Sequence, residues 1–147
     1  MKLTQRQNMK LSGSGMTLLE LTVVILVLLS LISILFIGAR AWKKGSDRAA
    51  SIMQIRNVQQ AVRSYSNMNG KNPLDTVSGL QFQIFGPGKF IQNDPTVVMH
   101  PAGGSYTFTI ANSDLIPDIG DLYMVTGGSG FEATTYYDPD PATATDW

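Results

Sequence analysis

The chain has no cysteine among its 147 residues and only one histidine, His100. The first absence excludes disulfide staples, thiol chemistry and cysteine-based zinc sites. The second leaves any Ser–His–Asp arrangement with a single imidazole and no nucleophile elbow beside it. Its setting, Val98-Met99-His100-Pro101-Ala102, predicts an exposed loop histidine. The acids show no spacing that proposes a general acid–base pair. Gly127-Gly128-Ser129-Gly130 is glycine-rich but lacks the lysine and following helix of a phosphate cradle. These residues predict no enzyme.

Charge is also scarce in one place. The 24 residues from Met16 to Ala39 carry a single charge, Glu20, in an otherwise apolar run. As a helix the run would be about 36 Å long, enough to cross a bilayer core. An acid inside it costs roughly 1–3 kcal/mol depending on depth, so it needs a partner or a function.

Elsewhere charge is abundant but unevenly placed, although the formal net charge is zero. Lys2, Arg6 and Lys10 make the first ten residues basic, with no acid among them. From Arg40 to Lys71 there are seven basic residues against Asp47 alone. From Asn72 to Trp147 there are nine acids against Lys89 alone. A basic stem therefore precedes an acidic head. Such asymmetry helps neighbouring copies find register, while for any single pair solvated surfaces are the simpler account.

Three readings compete for the apolar run. It is a precursor segment cut near its start, an ordinary signal anchor, or a secretory signal peptide. Ala39-Arg40-Ala41 resembles a signal-peptidase site, but the run exceeds the usual ~7–15-residue signal core and contains Glu20. A plain anchor needs no glycine just before the run and no glutamate five positions into it.

Beyond the run, Ala49, Ile52, Ile55, Val58, Val62 and Tyr65 recur every three or four residues. Arg56, Gln59, Gln60 and Arg63 are among the polar positions between them. This predicts an amphipathic helix, stopped by Asn69-Gly70 and Asn72-Pro73. A continuous helix from Met16 to Met68 would be about 80 Å long. Its apolar stripe needs a cover, best supplied by a sheet from the remaining chain.

After Pro73 the composition shifts to glycine, proline, aspartate, threonine and tyrosine. Residues Ser105 to Ala111 alternate, with Tyr106, Phe108 and Ile110 on one face, and predict a strand. Asp121 to Thr126 and Phe131 to Tyr137 flank the loop from Gly127 to Gly130 and predict a hairpin. Together these make a three-stranded antiparallel sheet. Leu80 to Phe85 reads equally as strand or helix.

Gly15-Met16-Thr17-Leu18-Leu19-Glu20-Leu21-Thr22-Val23-Val24-Ile25 resembles the processing site and N-terminal helix of the type IV pilin and pseudopilin superfamily. The likeness covers roughly residues 10–70 and is loose beyond. It implies cleavage after Gly15 by a prepilin peptidase, N-methylation of Met16 and a role in filament assembly for Glu20. In a filament that carboxylate would pair with the new amine of Met16 on a neighbouring copy, and a subunit at the wrong axial offset would leave both charges unpaired. Two departures are Met16, where many members have phenylalanine, and Gly38, near where many carry a helix-breaking proline. Glycine is a weaker breaker than proline, and Gly38 and Gly45 are the places to look for local melting of the helix in a filament. The positive charges flank both ends of the apolar run, so the resemblance, not the charge count, implies a cytoplasmic leader and an external head.

An external domain without disulfides holds itself by packing or by a bound cation. Asp138, Asp140 and Asp146 in the tail are candidate calcium ligands by oxygen chemistry, and major pseudopilins hold calcium in a late loop. Asp118 and Asp121 are equal candidates, and a mobile acidic tail needs no metal. The basic stem has no aromatic interleaving and no nucleic-acid module, so nucleic acid is not an expected partner. A solvated face, or contact with anionic lipid headgroups near Arg40 to Arg48, is expected more readily.

The expected fold is α+β and pilin-like, with a long N-terminal helix packed on a small antiparallel sheet. Residues 1–15 form a cleaved leader, 16–39 the membrane and filament-core helix, 40–69 the amphipathic stem, and 70–147 the head. The expected function is a structural subunit of a type IV pilus or a type II secretion pseudopilus. Its expected partners are copies of itself, the prepilin peptidase, an inner-membrane assembly platform and lipid. The alternative is a non-polymerising binding module on a single membrane anchor. The mature N-terminus separates these readings by mass spectrometry. A chain starting at N-methylated Met16 is expected; a start at Met1 supports the tethered module, and a start at Trp42 a secreted domain.

Overall fold

The computed structural model describes residues 15–109, 114–127 and 134–140. The chain divides into two compact units, Met1–Arg40 and Ala41–Trp147. The leader before Gly15 lies outside the described residues.

The first unit holds the start of helix α1 (Leu18–Asn69). Every described residue of this unit is exposed. Leucine, isoleucine and valine cover all sides of it, so no face is distinguished for burial against its own chain. α1 is long and apolar enough to cross a membrane. Its few hydroxyls are satisfied within the helix. Thr22 Oγ1 donates to the Leu19 carbonyl at 2.9 Å, Ser30 Oγ to Val27 at 2.8 Å and Ser33 Oγ to Leu29 at 2.8 Å. Gly38 and Gly45 are both helical in the single chain.

In the second unit α1 becomes one-sided, as the stripe predicts. Ile55, Val58 and Val62 are buried, Ile52 and Tyr65 half-buried, and only Ala49 of the stripe stays exposed. The helix ends at Asn69 because Gly70 takes a left-handed φ of 61° and reverses the chain. Lys71 N–H then bonds the Ser66 carbonyl at 2.9 Å, and Ser66 Oγ donates to the Lys71 carbonyl at 2.6 Å.

Four further elements follow: α2 (Leu80–Ile84), β1 (Ser105–Phe108), β2 (Met124–Gly127) and α3 (Thr134–Tyr137). The ambiguous Leu80 segment is thus helical. β1 and β2 pair antiparallel, with Tyr106 opposite Thr126 and Phe108 opposite Met124. Thr109 N–H extends the ladder to the Tyr123 carbonyl at 3.1 Å. Leu80, Ile84, Phe85, Tyr106, Ile116, Tyr123 and Met124 close on Ile55, Val58, Ala61 and Val62 as one core. Gly127 is demanded by close approach, since a Cβ there would lie 2.6 Å from Thr107 Cγ2. The α+β arrangement of a long helix against a small antiparallel sheet is therefore present.

Two strand expectations change. The sheet has two strands among the described residues, not three. The expected hairpin partner is instead the helical turn α3 over residues 134–137. Residues 128–133, and Ile110 and Ala111 of the expected first strand, lie outside the described residues. Threonine and tyrosine favour strands locally, but strand preference yields to tertiary context. Here Arg48 Nε donates to the Tyr136 carbonyl at 2.8 Å, and Tyr137 is buried.

Gln59 departs from the expected polar positions of the stem. It is buried, and its amide works as a neighbouring strand would. Oε1 accepts from Tyr123 N–H at 2.9 Å while Nε2 donates to the Asp121 carbonyl at 2.9 Å. Gln59→Ala leaves a buried backbone N–H unmatched, so a stability loss of about 1–3 kcal/mol is expected. Urea denaturation of the whole chain in detergent measures it as a lowered midpoint.

Candidate functional site

The two units hold separate candidate sites. In the first, Gly15, Met16 and Thr17 precede α1 in non-helical backbone. The Gly15–Met16 bond therefore stands outside the helical ladder. Gly15 has nothing within 4 Å of the place a Cβ would occupy, and Met16 is exposed.

Glu20 is held by Thr17. Thr17 N–H donates to Glu20 Oε2 at 2.8 Å, and Glu20 N–H donates back to Thr17 Oγ1 at 3.3 Å. Leu21 N–H reaches the Thr17 carbonyl at 3.1 Å and starts the helix. This reciprocal pair is a capping box, which satisfies two of the donors an N-terminus leaves without helical acceptors. It also puts a carboxylate at the positive end of the helix dipole. The T-x-x-E spacing of Thr17 and Glu20 is visible in the sequence as a cap signal, beside the pilin-like reading of the same residues. One chain alone thus partly offsets the cost of this acid. The bond to Thr17 uses Oε2, and an ionised carboxylate has acceptor capacity for a further donor.

In the second unit the candidate calcium ligands are only partly in view. Asp138 Oδ1 accepts from Thr126 N–H at 2.7 Å and Thr126 Oγ1 at 2.9 Å, which ties the chain after α3 to β2. Asp140 is exposed, and Asp146 lies outside the described residues. Asp118 Oδ1 caps Ile119 N–H at 2.8 Å. The described residues contain no group of three or more metal-ligating side chains.

His100 is not an exposed loop residue as expected; it is 1 % exposed. Its ring lies 4.9 Å from that of Tyr106 on β1 and 5.2 Å from that of Tyr137 on α3. Nδ1 accepts from Ala102 N–H at 3.0 Å. Burial pushes the imidazole below its ordinary range, against the opposing pull of Asp47 and Asp138. Burial likewise raises the Tyr123 and Tyr106 phenols.

Several stem cations face the chain's own head. Arg63 Nη1 and Nη2 donate to the Pro117 and Asp118 carbonyls at 2.8 and 2.6 Å. Lys44 Nζ and the Arg48 guanidinium lie 4.9 and 5.1 Å from the centre of the Tyr136 ring. Part of the basic stem is therefore committed within the fold.

No protein-family model, no curated protein and no solved structure matches this chain. A long apolar N-terminal helix with a small antiparallel sheet is compatible with pilin-like architecture.

The His100 environment sets a pH dependence. Between the lowered folded pKa and the ordinary value near 6.5 the unfolded chain binds a proton that the folded chain does not. The stability due to neutral His100 is thus complete above pH ~6.5 and is lost as pH falls below it. Thermal melts from pH 8 to pH 5 are expected to show this decline, and His100→Phe to flatten it.

Proposed function

We propose that this chain is a structural filament subunit of the type IV pilus or type II secretion pseudopilus kind. The supporting observation is the Thr17–Glu20 cap. It stands at the head of an unburied apolar helix, directly after the non-helical Gly15–Met16 pair. In this reading a prepilin peptidase cuts after Gly15, and Met16 becomes the methylated N-terminus. The helix rests in the bacterial inner membrane with the head outside. An assembly platform then moves it into the filament.

The energetics follow from exposure. Burying one large aliphatic side chain gains roughly 1.5–3 kcal/mol. A helix apolar on all sides finds that gain in lipid first, and then among copies of itself. Moving from lipid to the filament core removes Glu20 from the softened dielectric of the interface. The ammonium made by cleavage at Met16 of a neighbouring copy then supplies the cation. Thr17 holds the carboxylate ready until that exchange. The role is structural, with no catalytic step assigned to any residue.

The capping box also favours a second reading. Because Thr17 serves Glu20 within one chain, a non-polymerising, tethered binding module would be self-sufficient at this acid. Two substitutions separate the readings. Glu20→Gln keeps the acceptor for Thr17 N–H but removes the charge; Glu20→Ala removes both. Charge pairing predicts that both variants are cleaved after Gly15 and that both lose filament yield about tenfold or more, the equivalent of ~1.4 kcal/mol. Normal filament yield from Glu20→Gln would reduce Glu20 to a helix cap. Filament counts by electron microscopy and the mature N-terminal mass read the two outcomes.

A further inference from the structure

Val97, Val98 and Met99 are three consecutive apolar residues, 84 %, 51 % and 78 % exposed. Surfaces of water-facing domains avoid such runs unless something covers them. This run is not a slack loop. Asp94 Oδ1 accepts from Thr96 N–H at 2.9 Å and Thr96 Oγ1 at 2.7 Å, and the Asp94 carbonyl accepts from Val97 N–H at 3.2 Å. Pro95 on one side and His100 on the other are fully buried. His100 is further pinned by its N–H to the Gly104 carbonyl at 2.9 Å. The three side chains are therefore held outward by anchors at both ends. A groove of about 290 Å³ runs beside them, lined by Ala50, Gln54, Val98, Met99 and Tyr106 among others.

We propose that this finger is a docking surface by which one copy of the chain engages the stem of a second copy. The inference rests on the filament reading above and names its contact outside the membrane. Charge selects the occupant. From Phe90 to Thr109 the only formally charged residue is Asp94, so nothing on the finger attracts anionic headgroups. The head that bears it is acidic, nine acids against Lys89, and the stem has seven cations against Asp47, a basic excess that remains although Lys44, Arg48 and Arg63 also touch their own head. A second copy thus presents the opposite charge together with exposed apolar groups such as Met53. Its outward valines would enter against that stem, or its groove would receive a side chain from it.

The test uses the full chain in its producing cells, with a photo-cross-linking amino acid at Val97. A product of twice the subunit mass distinguishes links between chains from links within one. The expected product has that mass and maps to residues 42–63 of the other copy. Links only to lipid, only to another protein, only within one chain, or none overturn the proposal. Val97→Asp supplies a second measurement, since so exposed a position leaves the fold intact. Filament yield is expected to fall at least fivefold while cleavage after Gly15 and the melting temperature stay unchanged. Unchanged yield overturns the docking role and leaves the filament reading standing. A wild-type chain that never polymerises overturns both.

Discussion

The apolar half of α1 cannot bury itself in its own chain. Its side chains point to every side, and every described residue of the first unit is exposed. The surroundings must provide what an interior normally provides, and that need governs the placement of each polar atom in the segment. Thr22, Ser30 and Ser33 turn their hydroxyls back onto the helix. Glu20 and Thr17 close the first turn against each other. Polar groups in an apolar medium are tolerated when they are paired, and these four sites are paired locally.

The second unit solves a different problem. It is small, lacks disulfides, and has only a short two-stranded sheet among its described residues. Packing on the stem stripe supplies the core, and side chains reaching to main-chain atoms lock it. Gln59 spans residues 121 and 123, Arg63 spans the carbonyls of 117 and 118, and Arg48 holds that of Tyr136. Bonds from charged donors are stronger than neutral ones. They fix irregular segments that have no ladder of their own. The basic character of the stem therefore has an internal use as well as any external one.

Much of this was legible in the amino-acid order. The long helix, its change from all-apolar to striped near residue 40, its stop at Asn69-Gly70 and the strand at Tyr106 and Phe108 all follow from local period and turn chemistry. What was hidden depends on distant partners. Gln59 and Ala61 are buried because of what folds over them, and no period marks a glutamine as an interior amide. Residues 134–137 have strand-favouring side chains, yet Tyr137 and the Tyr136 carbonyl find their partners only in a helical turn. His100 looked like a loop residue because prolines and glycines surround it. Those residues make a tight reversal that carries the ring inward between two tyrosines. Thr17 differs, because its spacing to Glu20 is readable as a cap from local order alone.

The inward-turned hydroxyls have a consequence for transport of the helix between phases. A segment whose serines and threonine needed outside acceptors would have to break and remake those bonds on leaving lipid for a protein neighbourhood. Thr22, Ser30 and Ser33 keep theirs throughout, because each acceptor travels with them. Over that stretch the change of medium costs no exchange of hydrogen bonds. In the proposed filament reading, one rod would serve as a membrane anchor at one moment and as a piece of a proteinaceous cable at the next.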